Sequence, residues 1–304
     1  VTLQQQRTDI ILGILPTVLV EHFSAFGQAH RGKAIVLSHH HIPGLYPVGY
    51  GKIHTVGALF YRDGLDIVPQ DIYDYVGSGK GVCHTAAVNV ADYEALFAEV
   101  MKEYDALIYF NISSEMSSCY QNACLAAEDY PNVRVIDSMN LSTGQGLVVL
   151  EACRLAKDAT DLDELADQIR AYTERVEASF LLDQLAYMVK GGRCSSAAAL
   201  GANLLNLKPC IEVKDGKMSV VKKYRGKYEQ VLASYVRDRL ADREDIIRER
   251  LFLTYTPVAD SCLEVVKEAI AEHGHFAEVL ETTAGCTVSC HCGPATLGVL
   301  FVRK

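Results

Sequence analysis

Short runs of apolar and β-branched residues alternate along this chain with longer segments of helical period. Ala106-Leu-Ile-Tyr-Phe-Asn-Ile112 predicts a strand and Tyr120 to Ala127 the helix after it. Val133 to Ile136 predicts a second strand, leading into a helix from about Gly144 to Lys157. Strands joined by helices pair in parallel with the crossovers packed on the sheet, so the pattern is that of an α/β protein. The acidic stretch Asp158 to Glu164 opens a further helix to about Glu177, with Thr160 or Asp161 as cap and Asp163 and Glu164 in its first turn. A domain boundary is expected nearby. Beyond it, Pro209 to Val213 and Met218 to Val221 flank Lys214-Asp-Gly-Lys217, whose Asp215-Gly216 is a hairpin-turn pair. Helices near Tyr228 to Leu240 and Asp260 to His273, and a last strand at Gly298 to Val302, give the second domain mixed hairpin and crossover topology.

Composition narrows the class. The 304 residues are 49% hydrophobic and 22% charged, which excludes a disordered or fibrous chain. Twenty-nine basic residues against 38 acidic ones leave a net charge of -9, which opposes default binding to nucleic acid or anionic lipid. Any anion site must be local. The ten cysteines are scattered through apolar segments, the pattern of buried thiols in a reducing compartment, and a cytoplasmic location is expected. The apolar run Ile10 to Val20 after Arg7 has the size of a signal-peptide core but contains Gly13 and Pro16, and is read as a buried segment. No apolar stretch is long enough to span a bilayer.

Candidate chemistry gathers at strand ends, where an open α/β sheet meets its ligands. Ala106 to Ile112 runs into Ser113-Ser-Glu-Met-Ser-Ser118, and Val133 to Ile136 into Asp137-Ser138 and then Ser142-Thr143-Gly144. These hydroxyls could hold a carboxylate or phosphate, or could cap helices; capping is the preferred role for Ser142 and Thr143. Cys286-Thr-Val-Ser-Cys-His-Cys292 invites a zinc reading, but as an extended strand it puts Cys290 and Cys292 on one side and His291 on the other, with no partner motif elsewhere. No metal is expected, and the thiols are read as buried beside a ligand-facing histidine. Gly77-Ser-Gly-Lys-Gly81 lacks the serine or threonine of a phosphate loop and is read as a turn. His39-His40-His41 is read as a solvated loop. Lys214, Lys217, Lys222, Lys223, Arg225 and Lys227 form a basic cluster that is either a solvated face or a docking surface for an acidic or phosphate-bearing partner.

Taken together the motifs resemble the DegV family of fatty-acid-binding proteins, which includes the acyl-carrying subunits of bacterial fatty-acid kinase. The resemblance runs from about Lys33 to the C-terminus. It is carried by Tyr61-Arg-Asp-Gly-Leu-Asp-Ile67, Ile112-Ser-Ser-Glu-Met-Ser-Ser-Cys-Tyr-Gln121, Val135-Ile-Asp-Ser138, Lys190-Gly-Gly-Arg193, Leu205-Asn-Leu-Lys-Pro209 and His291-Cys-Gly-Pro294. It implies a two-domain α/β fold with a mainly parallel sheet in the first domain and a mixed second domain. The division drawn is 1–32 as an N-terminal extension of unknown role, 33–160 as the first domain, burying an acyl tail, and 161–304 as the second. It also implies a long-chain fatty acid, such as palmitate or oleate, bound between the domains, with Thr85, Ser117 and His291 around its carboxylate.

Ser114, Ser138 and Arg193 complete the candidate fatty-acid site, and Lys222, Lys223 and Arg225 the candidate docking face for a fatty-acid kinase. On this reading the chain is a carrier in lipid transport or fatty-acid metabolism, with no catalytic residue and no cofactor beyond the bound acid. Transient membrane contact for lipid exchange is allowed, a membrane span is not. Two departures from the family pattern stand out: Leu37 replaces an aspartate, and Ala86-Ala87-Val88 replaces a polar stretch after Thr85. The alternatives are an acyl or small-molecule hydrolase using Ser114 and His291, with Asp137 available, and a ligand-free regulatory member of the same fold.

Overall fold

The structure, a computed structural model, describes residues 66–79, 81–198 and 207–304, together with Asp63 and strands at 19–22, 33–38, 52–55 and 59–62. The histidine run at 39–41, Lys80 and most of the N-terminal apolar run lie outside the described residues. The chain divides into two compact units.

The first unit comprises Val1–Gly51, Ala87–Leu141 and Gln145–Glu174. Its sheet has the order β1 (Leu19–His22), β2 (Lys33–Ser38), β6 (Ala106–Asn111), β7 (Val133–Asp137). β2, β6 and β7 run parallel and β1 pairs antiparallel at the edge. All six residues of β6 are buried, as a central parallel strand requires. The helices are α2 (Val90–Val100), α3 (Cys119–Ala127), α4 (Ser142–Leu155, from Gln145 onward) and α5 (Leu162–Thr173). α2 is capped by Asn89, whose side chain accepts from the Asp92 N–H, and α5 by Asp161, which accepts from Glu164 N–H. Tyr93, Phe97 and Tyr109 pack edge-on or tilted in the core, with centroids 5.5 to 6.0 Å apart.

The second unit comprises Lys52–Ala86, Ser142–Gly144 and Arg175–Lys304. A six-stranded sheet has the order β10-β9-β8-β13-β11-β12, built from β8 (Val176–Leu182), β9 (Leu207–Lys214), β10 (Lys217–Arg225), β11 (Ile246–Tyr255), β12 (Glu278–Thr283) and β13 (Thr296–Arg303). All neighbours are antiparallel except β11 and β12, which α9 (Asp260–His273) joins as a crossover. Asp215 and Gly216 turn the β9–β10 hairpin with φ of 50° and 75°, the left-handed pair that the Asp-Gly sequence suits. α8 (Tyr228–Leu240) packs with α9 over a core of Leu232, Tyr235, Val266, Leu297 and Phe301. A second sheet has the order β4 (Leu59–Arg62), β3 (Lys52–Thr55), β5 (Cys83–Ala86).

Two boundaries differ from the sequence reading. The segment Lys52–Ala86 groups with the C-terminal unit, because Ile67 and Ile72 of that segment share an apolar cluster with Cys286 and Cys290. α5, expected to open the second domain at 161, belongs to the first unit. It packs against β7, and Asp163 pairs with Arg134 of that strand at 2.5 Å.

Candidate functional site

The second unit holds α10 (Cys286–Cys292), a seven-residue helix. This corrects the extended reading of that segment: alternation over seven residues is too short a signal to separate strand from helix. Cys286, Cys290 and Cys292 are buried and His291 sits in the last turn. The imidazole Nε2 lies 2.8 Å from Thr85 Oγ1, so β5 and α10 bring together two of the residues matched by resemblance, 206 positions apart. Nδ1 is buried and has no hydrogen-bond partner among the described residues. Burial pushes the pKa of His291 down from 6.5 to about 4, and the Arg193 guanidinium and the His84 ring add to the effect. The ring is therefore neutral at pH 7.

The C-terminal end of α6 (Leu185–Gly191) forms a wall against this imidazole. A Cβ at Gly191 would stand 2.2 Å from His291 Nδ1, so only glycine fits there. Gly192 ends α6 in the left-handed conformation, and exposed Arg193 donates to the Gly191 carbonyl at 2.8 Å. These contacts give Lys190-Gly-Gly-Arg193 a local purpose. Gly191 and His84 were not singled out from the sequence, although Gly191 lies inside a quoted motif.

In the first unit the loops after β6 and β7 are knitted together. Asp137 accepts from the N–H groups of Met139 at 2.8 Å and Ser114 at 3.2 Å, while Ser113 N–H donates to the Asn140 carbonyl at 2.9 Å. Ser138 is buried and its hydroxyl donates to the Asn140 carbonyl. Ser117 Oγ accepts from Cys119 N–H at 3.3 Å and donates to its Sγ at 3.1 Å, at the start of α3. The serines thus form a hydroxyl-rich rim at the carboxyl ends of parallel strands. Ser142 and Thr143 are not caps. The cap residue of α4 is Leu141, and Thr143, which belongs to the second unit, has its Oγ1 2.5 Å from Thr254 Oγ1 of that same unit.

Hydrolytic chemistry finds little support. The Asp137 carboxylate is taken up by backbone N–H groups and His291 Nε2 by Thr85. Burial pushes the thiols of Cys290 and Cys292 up to about 12, which keeps them protonated and poorly nucleophilic. All ten cysteines are free thiols, and no cluster of three or more metal-ligating side chains is found among the described residues. Among those residues no helix is long and apolar enough to cross a membrane.

These features define a two-unit α/β protein with a partly buried imidazole–hydroxyl pair on one unit and a serine rim on the other. The chain belongs to the DegV family, whose model matches residues 55–304. It is 33% identical to a DegV domain-containing protein of Clostridium acetobutylicum over 222 residues, 72% of this chain and 78% of that one. Among solved structures, a DegV family protein from Thermus thermophilus described by its fatty-acid binding is 27% identical with a TM-score of 0.73, over 84% of this chain and 91% of that one. A DegV family protein from Eubacterium eligens, loaded with heptadecanoic acid, shares the fold at 18% identity and a TM-score of 0.70, over 84% and 92% of the two chains.

Proposed function

We propose that this protein binds a long-chain fatty acid, palmitate or oleate in type, and presents its carboxylate to a fatty-acid kinase. The observation that carries the proposal is the partly buried Thr85–His291 pair. With its proton on Nε2, the neutral imidazole donates to Thr85 Oγ1 and leaves the threonine O–H free to donate to a carboxylate oxygen. Ser114, Ser117, Ser138 and Arg193 are assigned to the same ligand, and the fatty-acid binding of the Thermus thermophilus relative supports that class of ligand. The kinase, and the absence of catalysis by this chain, are parts of the proposal that rest on the resemblance alone.

The tail dominates the affinity. Each buried methylene contributes about 0.8 kcal/mol, so a 16-carbon chain gives on the order of 12 kcal/mol before ordering costs, whereas a hydrogen bond to a charged group gives only about 1.5 to 3. Thr85→Ala and His291→Ala should therefore keep most of the bound acid while losing acyl phosphate formation with the kinase. Native mass spectrometry of the purified wild type, followed by occupancy and phosphorylation assays of both variants, tests the reading. A wild-type chain that carries no acyl ligand and takes up neither palmitate nor oleate would sink it.

A further inference from the structure

We propose that Asp63 is a positioning residue for His291, acting through the first turn of α10 from 223 residues away in sequence. The inference rests on the reading of His291 as a ligand residue. α10 starts from Gly285, which has no side chain to cap the helix, yet its first residue, Cys286, is fully buried. Unpaired N–H groups there would be costly. Asp63 supplies what Gly285 lacks: its Oδ1 accepts from Cys286 N–H at 2.8 Å and its Oδ2 from Thr287 N–H at 2.7 Å. The two bonds use both carboxylate oxygens and place a negative charge at the positive end of the helix.

The same segment grips the turn a second time. Cys286 Sγ donates to the Ile67 carbonyl at 3.2 Å, and Asp63 and Ile67 are themselves linked as a β-bridge. A helix of seven residues has little stability of its own, so these tethers fix where it lies. His291 is five residues beyond Cys286, about 7.5 Å along the axis at 1.5 Å per residue. At that end the fit leaves no slack, since a single added carbon at Gly191 would overlap Nδ1. Freeing the first turn therefore moves the imidazole out of its wall and away from Thr85. The Tyr61 to Ile67 motif thus acquires a purpose in the site although none of its residues is a candidate ligand contact.

The test is made on the ligand-free chain by NMR titration of the His291 ring in wild type, Asp63→Asn and Asp63→Ala. Asparagine keeps one acceptor but turns an amide toward the other N–H, so the His291 pKa should rise in the order wild type, Asn, Ala. The total rise in the alanine variant should be about one unit or more toward the ordinary value, as the ring regains water and moves relative to Arg193 and His84. Fatty-acid occupancy should fall in the same order. A carboxylate that merely stabilises the fold would lower the urea midpoint of the variants and leave the native His291 titration where it is, and that result overturns the proposal. Should the alanine variant not fold, the asparagine variant decides by the same criterion. Because the titration needs no lipid, a shifted His291 in a wild-type chain that binds no fatty acid would leave the positioning role standing and remove only the ligand assignment.

Discussion

His291 is neutral in the folded chain because burial of its ring disfavours the charged form, and this couples stability to pH with a definite sign. The unfolded chain takes up a proton near pH 6.5, whereas the native ring does so only near 4. Stability contributed by the neutral ring is complete above pH 6.5 and is lost as the pH falls toward 4, by ~3 kcal/mol in all. Carboxylates titrate in the same window, so the contribution is isolated by comparison with His291→Gln. Urea unfolding at pH 7 and pH 4 should show the wild type losing ~3 kcal/mol more than the variant. Equal losses in the two chains would mean that the imidazole is hydrated rather than buried. At this scale His291 was picked out by the short motif it opens and Thr85 by its position against the family pattern, and the two side chains lie in contact. Asp63 sat in another motif, but nothing local in a sequence links a carboxylate to a helix start 223 residues away.

Among the elements, those with a full helical period and a recognisable end were read closely. Tyr228–Leu240 and Asp260–His273 match the expected spans, and the Asp215-Gly216 turn lies where the dipeptide predicts. α10 was missed because it is short, lacks its own cap and is held by tertiary contacts that a periodicity cannot register. The register between longer elements is fixed partly by charge. Arg239 of α8 donates to Glu177 of β8 and, at 2.7 Å, to Glu212 of β9. The three side chains are only 15%, 11% and 24% exposed, so water screens the group weakly. Arg239→Met would leave Glu212 in place with its buried partner gone, while Arg243 still pairs with Glu177. The expected cost is about 3 kcal/mol, at the low end for breaking a buried pair. Urea denaturation measures it, and a loss below about 1 kcal/mol would place the network with ordinary surface ion pairs.

On the scale of the whole molecule, charge and connectivity were legible to different degrees. Composition gave the acidic balance directly, but the division into units was not a cut at one position, because the chain leaves the first unit after Gly51 and re-enters it at Ala87. Such interleaving follows from packing between distant segments, which composition shifts along the chain do not record. Against the net charge of -9, Lys217, Lys222, Lys223 and Arg225 of the basic cluster stand on β10, the edge strand of the large sheet. Lys222 is partly committed there, with its ammonium 2.6 Å from Asp238 and 5.0 Å from the Tyr224 ring centroid. Lys223 and Arg225 are exposed and are the sharper probes of a docking role. Edge strands also carry lysines simply to prevent pairing with other chains, and the two roles make opposite predictions. If the face docks the proposed kinase, Lys223→Glu with Arg225→Glu should leave fatty-acid occupancy unchanged and weaken association by about tenfold at low salt, with wild-type binding itself falling as salt rises. If the charges only guard the edge, association with the kinase measured by pull-down and calorimetry will match wild type at every salt concentration, and the double variant will differ instead in self-association by light scattering. The second pattern removes the docking assignment and leaves the lipid-binding reading untouched, since that reading rests on Thr85 and His291.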